Sequence, residues 1–143
     1  MILVKQFMKS ISKLKKELDK WFSLFIRLRF ATKEGLCQCV TCGKVSHYKK
    51  MHAGHFQSRR HLSLRWDSEL GNVQVQCPKC NLFGQGEQFK FGLKIDGKYG
   101  EGTAQTLEYL AKQITKVSRT DYEEKITYYK DLVKKLKEEK RIE

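Results

Sequence analysis

The sequence predicts an α+β fold, mostly helical, with a small centre of short strands flanked by one long N-terminal helix and two C-terminal helices. Three observations carry this prediction. Apolar residues recur at helical spacing near both ends of the 143-residue chain. Between residues 37 and 92 that periodicity gives way to short apolar pieces and polar turns. Four of the five cysteines fall in this middle stretch as two Cys-x-x-Cys pairs. The organisation expected is 1–36, a basic amphipathic helix; 37–92, a cysteine-rich core; and 93–143, a helical hairpin, all within one compact domain.

From about Lys5 to Lys33, Phe7, Ile11, Leu14, Leu18, Trp21, Phe25 and Leu28 alternate in steps of four and three, a helical seam that Phe22 and Ile26 widen. Gly35 is expected to close this helix, and Lys13, Lys15, Lys16, Lys20, Arg27 and Arg29 to decorate it. Val45, Met51 to Phe56 and Val73 to Val75 read as short strands. A short helix is expected from Asn81 toward Phe91, followed by a connector punctuated by Gly92, Gly97, Gly100 and Gly102. Leu107, Leu110, Ala111, Ile114 and Val117 define one amphipathic helix. Thr120 and Glu123 have capping-box spacing for a second, whose seam is Tyr122, Ile126, Tyr129, Val133 and Leu136. Each seam is either part of the chain's own core or a dimer interface.

Lysine and arginine number 29 against 16 acidic residues, a net charge of +13. Residues 1–36 carry 9 basic and 3 acidic groups, 37–92 carry 8 and 3, and 93–143 carry 12 and 10. The excess belongs to the first two segments, and a polyanion, nucleic acid first, is the partner it implies. There is no apolar run of the roughly 18 residues a membrane span needs and no signal-peptide pattern at the N-terminus, so a soluble, cytoplasmic protein is expected.

An odd cysteine count dominated by two Cys-x-x-Cys pairs reads, in a reducing compartment, as metal ligation before disulfides. Cys39, Cys42, Cys77 and Cys80 would supply four thiolates to a closed, structural Zn2+ site with no open position for chemistry. The alternatives are four buried thiols, or a register in which Cys37 replaces Cys39. Zinc here would staple segments 34 residues apart in a region whose short strands bury little apolar area.

Between and beyond the pairs lie His52-Ala-Gly-His55, a basic loop from Arg59-Arg60-His61 to Arg65-Trp66-Asp67, then Gly71-Asn72 and, after the last cysteine, Asn81. This order resembles the HNH, or ββα-metal, nucleases, whose two strands carry a histidine base and a middle asparagine ahead of a metal-binding helix. It is most similar to the phage NinG/Rap recombination endonucleases, through the Cys39 pair, Ala53-Gly54-His55, Leu64 to Asp67, Asn72, Gln76-Cys77, Cys80-Asn81 and the final helix. The resemblance covers about 100 residues. It implies a zinc-stapled ββα-metal core, cleavage of branched recombination intermediates such as Holliday junctions and D-loops, and a phage or prophage origin in the cytosol of the host.

The chemistry gives these residue types separate tasks. A neutral imidazole suits the activation of water against a phosphodiester at cellular pH, a role that falls to His55. Asn72 would fix that ring by a hydrogen bond or by holding the strands together. A hard cation, Mg2+ or Mn2+, would neutralise the phosphate and the leaving oxygen. Asn81 offers it an oxygen, and His52, where the family commonly has aspartate, a nitrogen, which shifts metal preference toward Mn2+ or Ni2+. Asp67 has three open roles: metal ligand, partner orienting His55, or salt bridge to Arg65. His61 reads as a phosphate contact and His47 as a surface strand residue.

Lys44, Lys49, Lys50, Arg59, Arg60, Arg65 and Lys79 are expected to form a rim that grips DNA phosphates by shape more than sequence. A four-way junction has two strands to cut, so a homodimer would match its symmetry. Competing readings are a non-catalytic zinc module that binds nucleic acid, and an HNH nuclease of homing, restriction or packaging type.

Overall fold

The computed structural model describes residues 8–143. Lys5 and Phe7, at the expected start of the first helix, lie outside them. In chain order the elements are α1 (Ile11–Arg29), β1 (Leu36–Gln38), β2 (Val45–His47), a 3-10 turn (Tyr48–Lys50), β3 (His52–His55), β4 (Val73–Gln76), a π-helical turn (Lys79–Phe83), α2 (Gln88–Tyr99), α3 (Thr103–Ala111) and α4 (Arg119–Lys140). The α+β expectation holds, with about half the chain helical and two small antiparallel sheets.

Ser10 opens α1, its hydroxyl accepting from the Lys13 amide at 3.2 Å, as an N-cap should. The helix stops at Arg29 and not near Gly35. Lys140, at the far end of α4, donates to the carbonyls of Leu28, Arg29 and Ala31 at 2.6, 3.1 and 2.6 Å. A cation among the carbonyls at the helix end complements the helix dipole. Gly35, with φ of +80°, instead makes the turn into β1.

The two helical seams pack against each other. Leu14, Leu18, Phe22 and Ile26 of α1 and Tyr122, Ile126, Tyr129 and Val133 of α4 are all buried in one core. The Phe22 and Tyr129 rings meet edge to face at 5.0 Å. The centre of the α1 face is therefore the every-fourth-residue row, with Trp21 and Phe25 at its margin. Neither seam is left over as the dimer interface the sequence allowed.

Both sheets are hairpins. The first pairs Cys37 with Ser46, and the second pairs His52 with Gln76 and His55 with Val73. Every residue of β4 is buried. Gly54 lies against Gln76 so closely that a Cβ there would come within 2.6 Å of the Gln76 Cδ. A side chain at this position would push the buried glutamine aside, so glycine sets the spacing between the strand carrying both histidines and the strand behind it.

The C-terminal half departs from expectation in four ways. No α-helix runs from Asn81 to Phe91: a π-helical turn ends at Phe83, and the chain reverses through Gln85, Gly86 and Glu87, all at positive φ, before α2 begins. Gly92 and Gly97 lie inside α2 because burial of Phe91 and Ile95 against Leu64 and Leu107 outweighs a helix penalty of about 1 kcal/mol per glycine. The helix begun at Thr103 ends at Ala111, so Val117 falls outside it and Ile114 is left 94% exposed. The capping box of α4 is Ser118 with Asp121, two residues before the expected pair. Each side chain accepts from the other's amide, at 3.1 and 2.9 Å.

Candidate functional site

The cysteine pairs close two loops at one end of the strands. After β1, Gly43 turns at φ of +79° and its amide donates to the Cys39 carbonyl at 3.0 Å. After β4, the Asn81 amide donates to the Cys77 carbonyl at 2.9 Å, and the Val40 amide ties the loops together by donating to Val75 at 2.8 Å. The four sulfurs of Cys39, Cys42, Cys77 and Cys80 lie within 4.8 Å of one another, with Cys42 and Cys77 3.7 Å apart. Sulfurs around tetrahedral zinc, bonded at about 2.3 Å, are separated by about 3.8 Å, so the cluster could hold the ion with little movement. Burial pushes the Cys80 thiol up to about 12. Burial opposes ionisation of Cys39 too, but the Thr41 hydroxyl and backbone N–H groups outweigh it and bring that thiol down to about 6. Cys37 is buried in the core and outside the cluster, which removes the alternative register.

Beside this frame is an open cleft of about 950 Å³. Its walls include His52 and His55 from β3, His61 and the Arg59-Arg60 pair from the long loop after β3, Lys49 from the 3-10 turn and Asn81 from the π-helical turn. His52 Nδ1 lies 3.1 Å from the Asn81 amide nitrogen. Two ligands on adjacent corners of an octahedron with bonds of about 2.0 to 2.1 Å are also about 3 Å apart. A half-turn of the amide would present its oxygen beside the ring lone pair, so the two side chains could each offer one donor to a small divalent cation.

His55 is oriented by the backbone of the loop that follows β3. Its Nε2 lies 2.8 Å from the Arg65 carbonyl, which can only accept, so Nε2 carries the proton and Nδ1 keeps a lone pair in the neutral ring. Burial depresses its pKa below the ordinary 6.5, only partly offset by the Arg65 carbonyl. The neutral form is therefore the one the fold favours.

The other expected site residues hold that carbonyl in place. Asn72 is fully buried, and its side-chain hydrogen bonds go to the loop backbone and not to the His55 ring. Its Oδ1 accepts from the Gln57 amide at 2.8 Å, and its Nδ2 donates to the carbonyls of Gln57 and Leu64 at 3.3 and 3.1 Å. It pins both ends of the loop whose next carbonyl receives His55. Asp67 does not line the cleft. Its carboxylate accepts from the amides of Glu69, Leu70 and Asn72 at 3.0 to 3.2 Å, a local turn that sets up Asn72. None of its three open roles matches this placement.

Arg65 departs furthest from the expected phosphate rim. Its guanidinium is 15% exposed and bound through two nitrogens to Asp19 of α1, at 3.1 and 2.6 Å. Asp19 also accepts from Trp66 Nε1 at 2.9 Å and Arg59 at 3.3 Å. Asp19 is the site residue sequence reasoning missed: an acid on a basic helix, 46 positions before its partner, carries no local signal. Arg27, expected only to decorate the helix, is half-buried in the cleft wall and donates to Ser23 and the Tyr48 carbonyl. Lys49, Arg59 and Arg60 remain on the cleft wall, whereas the exposed Lys44, Lys50 and Lys79 lie outside its lining. His61 lines the cleft, and His47 accepts from the Lys49 amide at 3.2 Å.

The family model described as the bacteriophage lambda NinG protein matches residues 3–139. No curated protein and no solved structure matches the chain.

Two results are expected. Ion pairs broken when fully buried cost about 3 to 5 kcal/mol and exposed ones under about 1, so Asp19→Ala, which strands a half-buried Arg65 and the Trp66 indole, should cost about 2 to 3 kcal/mol in urea unfolding. A loss below about 0.5 kcal/mol would mark the pair as an ordinary surface contact. Protein purified with zinc should carry one equivalent, and Cys77→Ser should lose it together with the circular dichroism of the folded centre. An unchanged spectrum and melting temperature in that variant would remove the staple.

Proposed function

Because the chain belongs to the bacteriophage lambda NinG family, we propose that it is a metal-dependent DNA endonuclease acting on branched recombination intermediates such as Holliday junctions and D-loops. The observation that carries this reading is the His55 tautomer set by the Arg65 carbonyl, on a ring that lines a cleft together with the His52 and Asn81 donors and the Lys49, Arg59 and Arg60 cations.

In this reading Lys49, Arg59 and Arg60 hold the phosphate backbone along the cleft. His55 Nδ1 takes a proton from a water aligned with the scissile phosphodiester. The bond from water oxygen to phosphorus forms as the bond to the leaving oxygen breaks, and that oxygen is protonated from solvent. As the ring becomes imidazolium, its Nε2–H goes on donating to the Arg65 carbonyl, and the Nδ1 proton is then lost to solvent, so the base does not rotate between turnovers. His52 and Asn81 would hold Mg2+ or Mn2+, which when bound neutralises charge building on the phosphate oxygens. Arg65, Asp19, Asn72 and Asp67 are positioning residues. The zinc cluster keeps β4 and the Asn81 turn in register with β3.

Expected outcomes follow from the base. With Mg2+ or Mn2+, the parent protein should nick a labelled four-way junction, and His55→Ala should lose this by about 100-fold or more while still binding the junction. Equal cleavage by both, or binding without cleavage by either, would favour a non-catalytic nucleic-acid-binding protein. The base must be neutral, and burial lowers its pKa, so activity should persist as pH falls through 6.5 and disappear only at the lower folded value. An acid limb at or above 6.5 would contradict the assignment.

A further inference from the structure

The π-helical turn and the start of α2 carry an exposed apolar set that the chemistry above does not use. Phe83 is 84% exposed, Phe89 80%, Leu82 60% and Leu93 58%. These are not loosely packed core residues. The buried face of α2 is Phe91 and Ile95, which pack against Leu64 and Leu107. Phe89 and Leu93, four residues apart, share the opposite, outward face. Phe83 and Phe89 flank the segment from which Leu82, Gln85, Gly86 and Gln88 line the cleft. Between the two rings the chain makes the positive-φ reversal and is tied to β4, the Gly86 carbonyl accepting from the buried Gln76 side-chain amide at 2.9 Å. Lys90 and Lys94, also exposed, interleave with the aromatic and aliphatic positions.

Aromatic faces among cations are the chemistry that unpaired bases recognise: rings stack on base faces while ammonium groups meet the phosphates. A continuous duplex hides its base faces, and a branch point offers them. We propose that Phe83 and Phe89 are a stacking platform for unpaired bases at the branch of a DNA substrate, and that this contact supplies the preference for branched over linear DNA. The proposal rests on the nucleic-acid part of the function above but not on its hydrolytic step. The occupant is argued from charge: the patch adjoins a basic cleft on a protein of net charge +13, which suits a polyanion with exposed base faces better than a second copy of the same basic chain.

The test is fluorescence anisotropy with the full-length, zinc-loaded protein and no added Mg2+ or Mn2+, so that cutting plays no part. The probes are a four-way junction, a flap and a linear duplex of equal length, with 2-aminopurine beside the branch. The double variant Phe83→Leu with Phe89→Leu keeps apolar bulk but removes the ring faces. Because both positions are exposed, its melting temperature should equal the parent's. Expected are a loss of junction and flap affinity on the order of tenfold, unchanged duplex affinity, and loss of 2-aminopurine quenching. The corresponding double change to Trp should retain all three properties of the parent. Equal losses on junction and duplex, or no loss on any probe, would overturn the platform. So would sedimentation showing that the Leu variant converts a dimer to a monomer, since the face would then belong to a second copy. A protein that never cleaves but shows the expected binding pattern would leave the platform standing while removing the nuclease.

Discussion

The hydrogen bond from His55 Nε2 to the Arg65 carbonyl decides what this site can do. An imidazole in solution exchanges tautomers freely, and a base that presents N–H to its water is no base. Here a backbone oxygen selects one tautomer, and the oxygen is held by side chains from three parts of the chain. Asp19 grips the Arg65 side chain from α1, Asn72 ties the loop to the head of β4, and Asp67 folds the turn that delivers Asn72. The ion pair is half-buried, where its attraction is less screened than at the surface and the desolvation penalty is shared with the Trp66 and backbone bonds.

The cysteine cluster solves a different problem. Two hairpins of three and four residues per strand are marginal on their own. Four sulfurs closing the ends of β1 and β4 fix the spacing of these strands where apolar burial is thin, and the same loop delivers Asn81 next to His52. The α1 and α4 core supports the other side, with Lys140 locking the end of one helix to the other. The site thus lies between a possible metal staple and a conventional hydrophobic core.

Much of this was legible in the residue order. Paired cysteines mark their own cluster because the ligand spacing is local, and the short strands follow from the apolar pieces at Met51 to Phe56 and Val73 to Val75. What was not legible depends on partners distant in sequence. Asp19 looks like any helical surface acid until Arg65 is folded onto it. Arg65 looks like a phosphate contact for the same reason. The end of α1 is set by a lysine more than a hundred residues away. The break between Phe83 and Gln88 depends on two non-glycine residues accepting positive φ, which no local propensity announces. The α2 glycines misled because tertiary burial overrode helix propensity. The seams of α1 and α4 were correctly seen, but periodicity alone does not say whether two apolar faces meet each other or another molecule.

Among the described residues no helix is long and apolar enough to cross a membrane. For the strongly basic, cysteine-framed chain of the NinG family, the chemistry proposed at the cleft reduces to the state of one ring. The most direct measurement of that state is a long-range ¹H–¹⁵N NMR correlation of the imidazole side chains, assigned with His55→Gln and followed over pH. The account predicts a His55 ring protonated on Nε2 alone at pH 7 and titrating below 6.5. A ring protonated on Nδ1, or one exchanging freely between tautomers and titrating at its solution value, would contradict it.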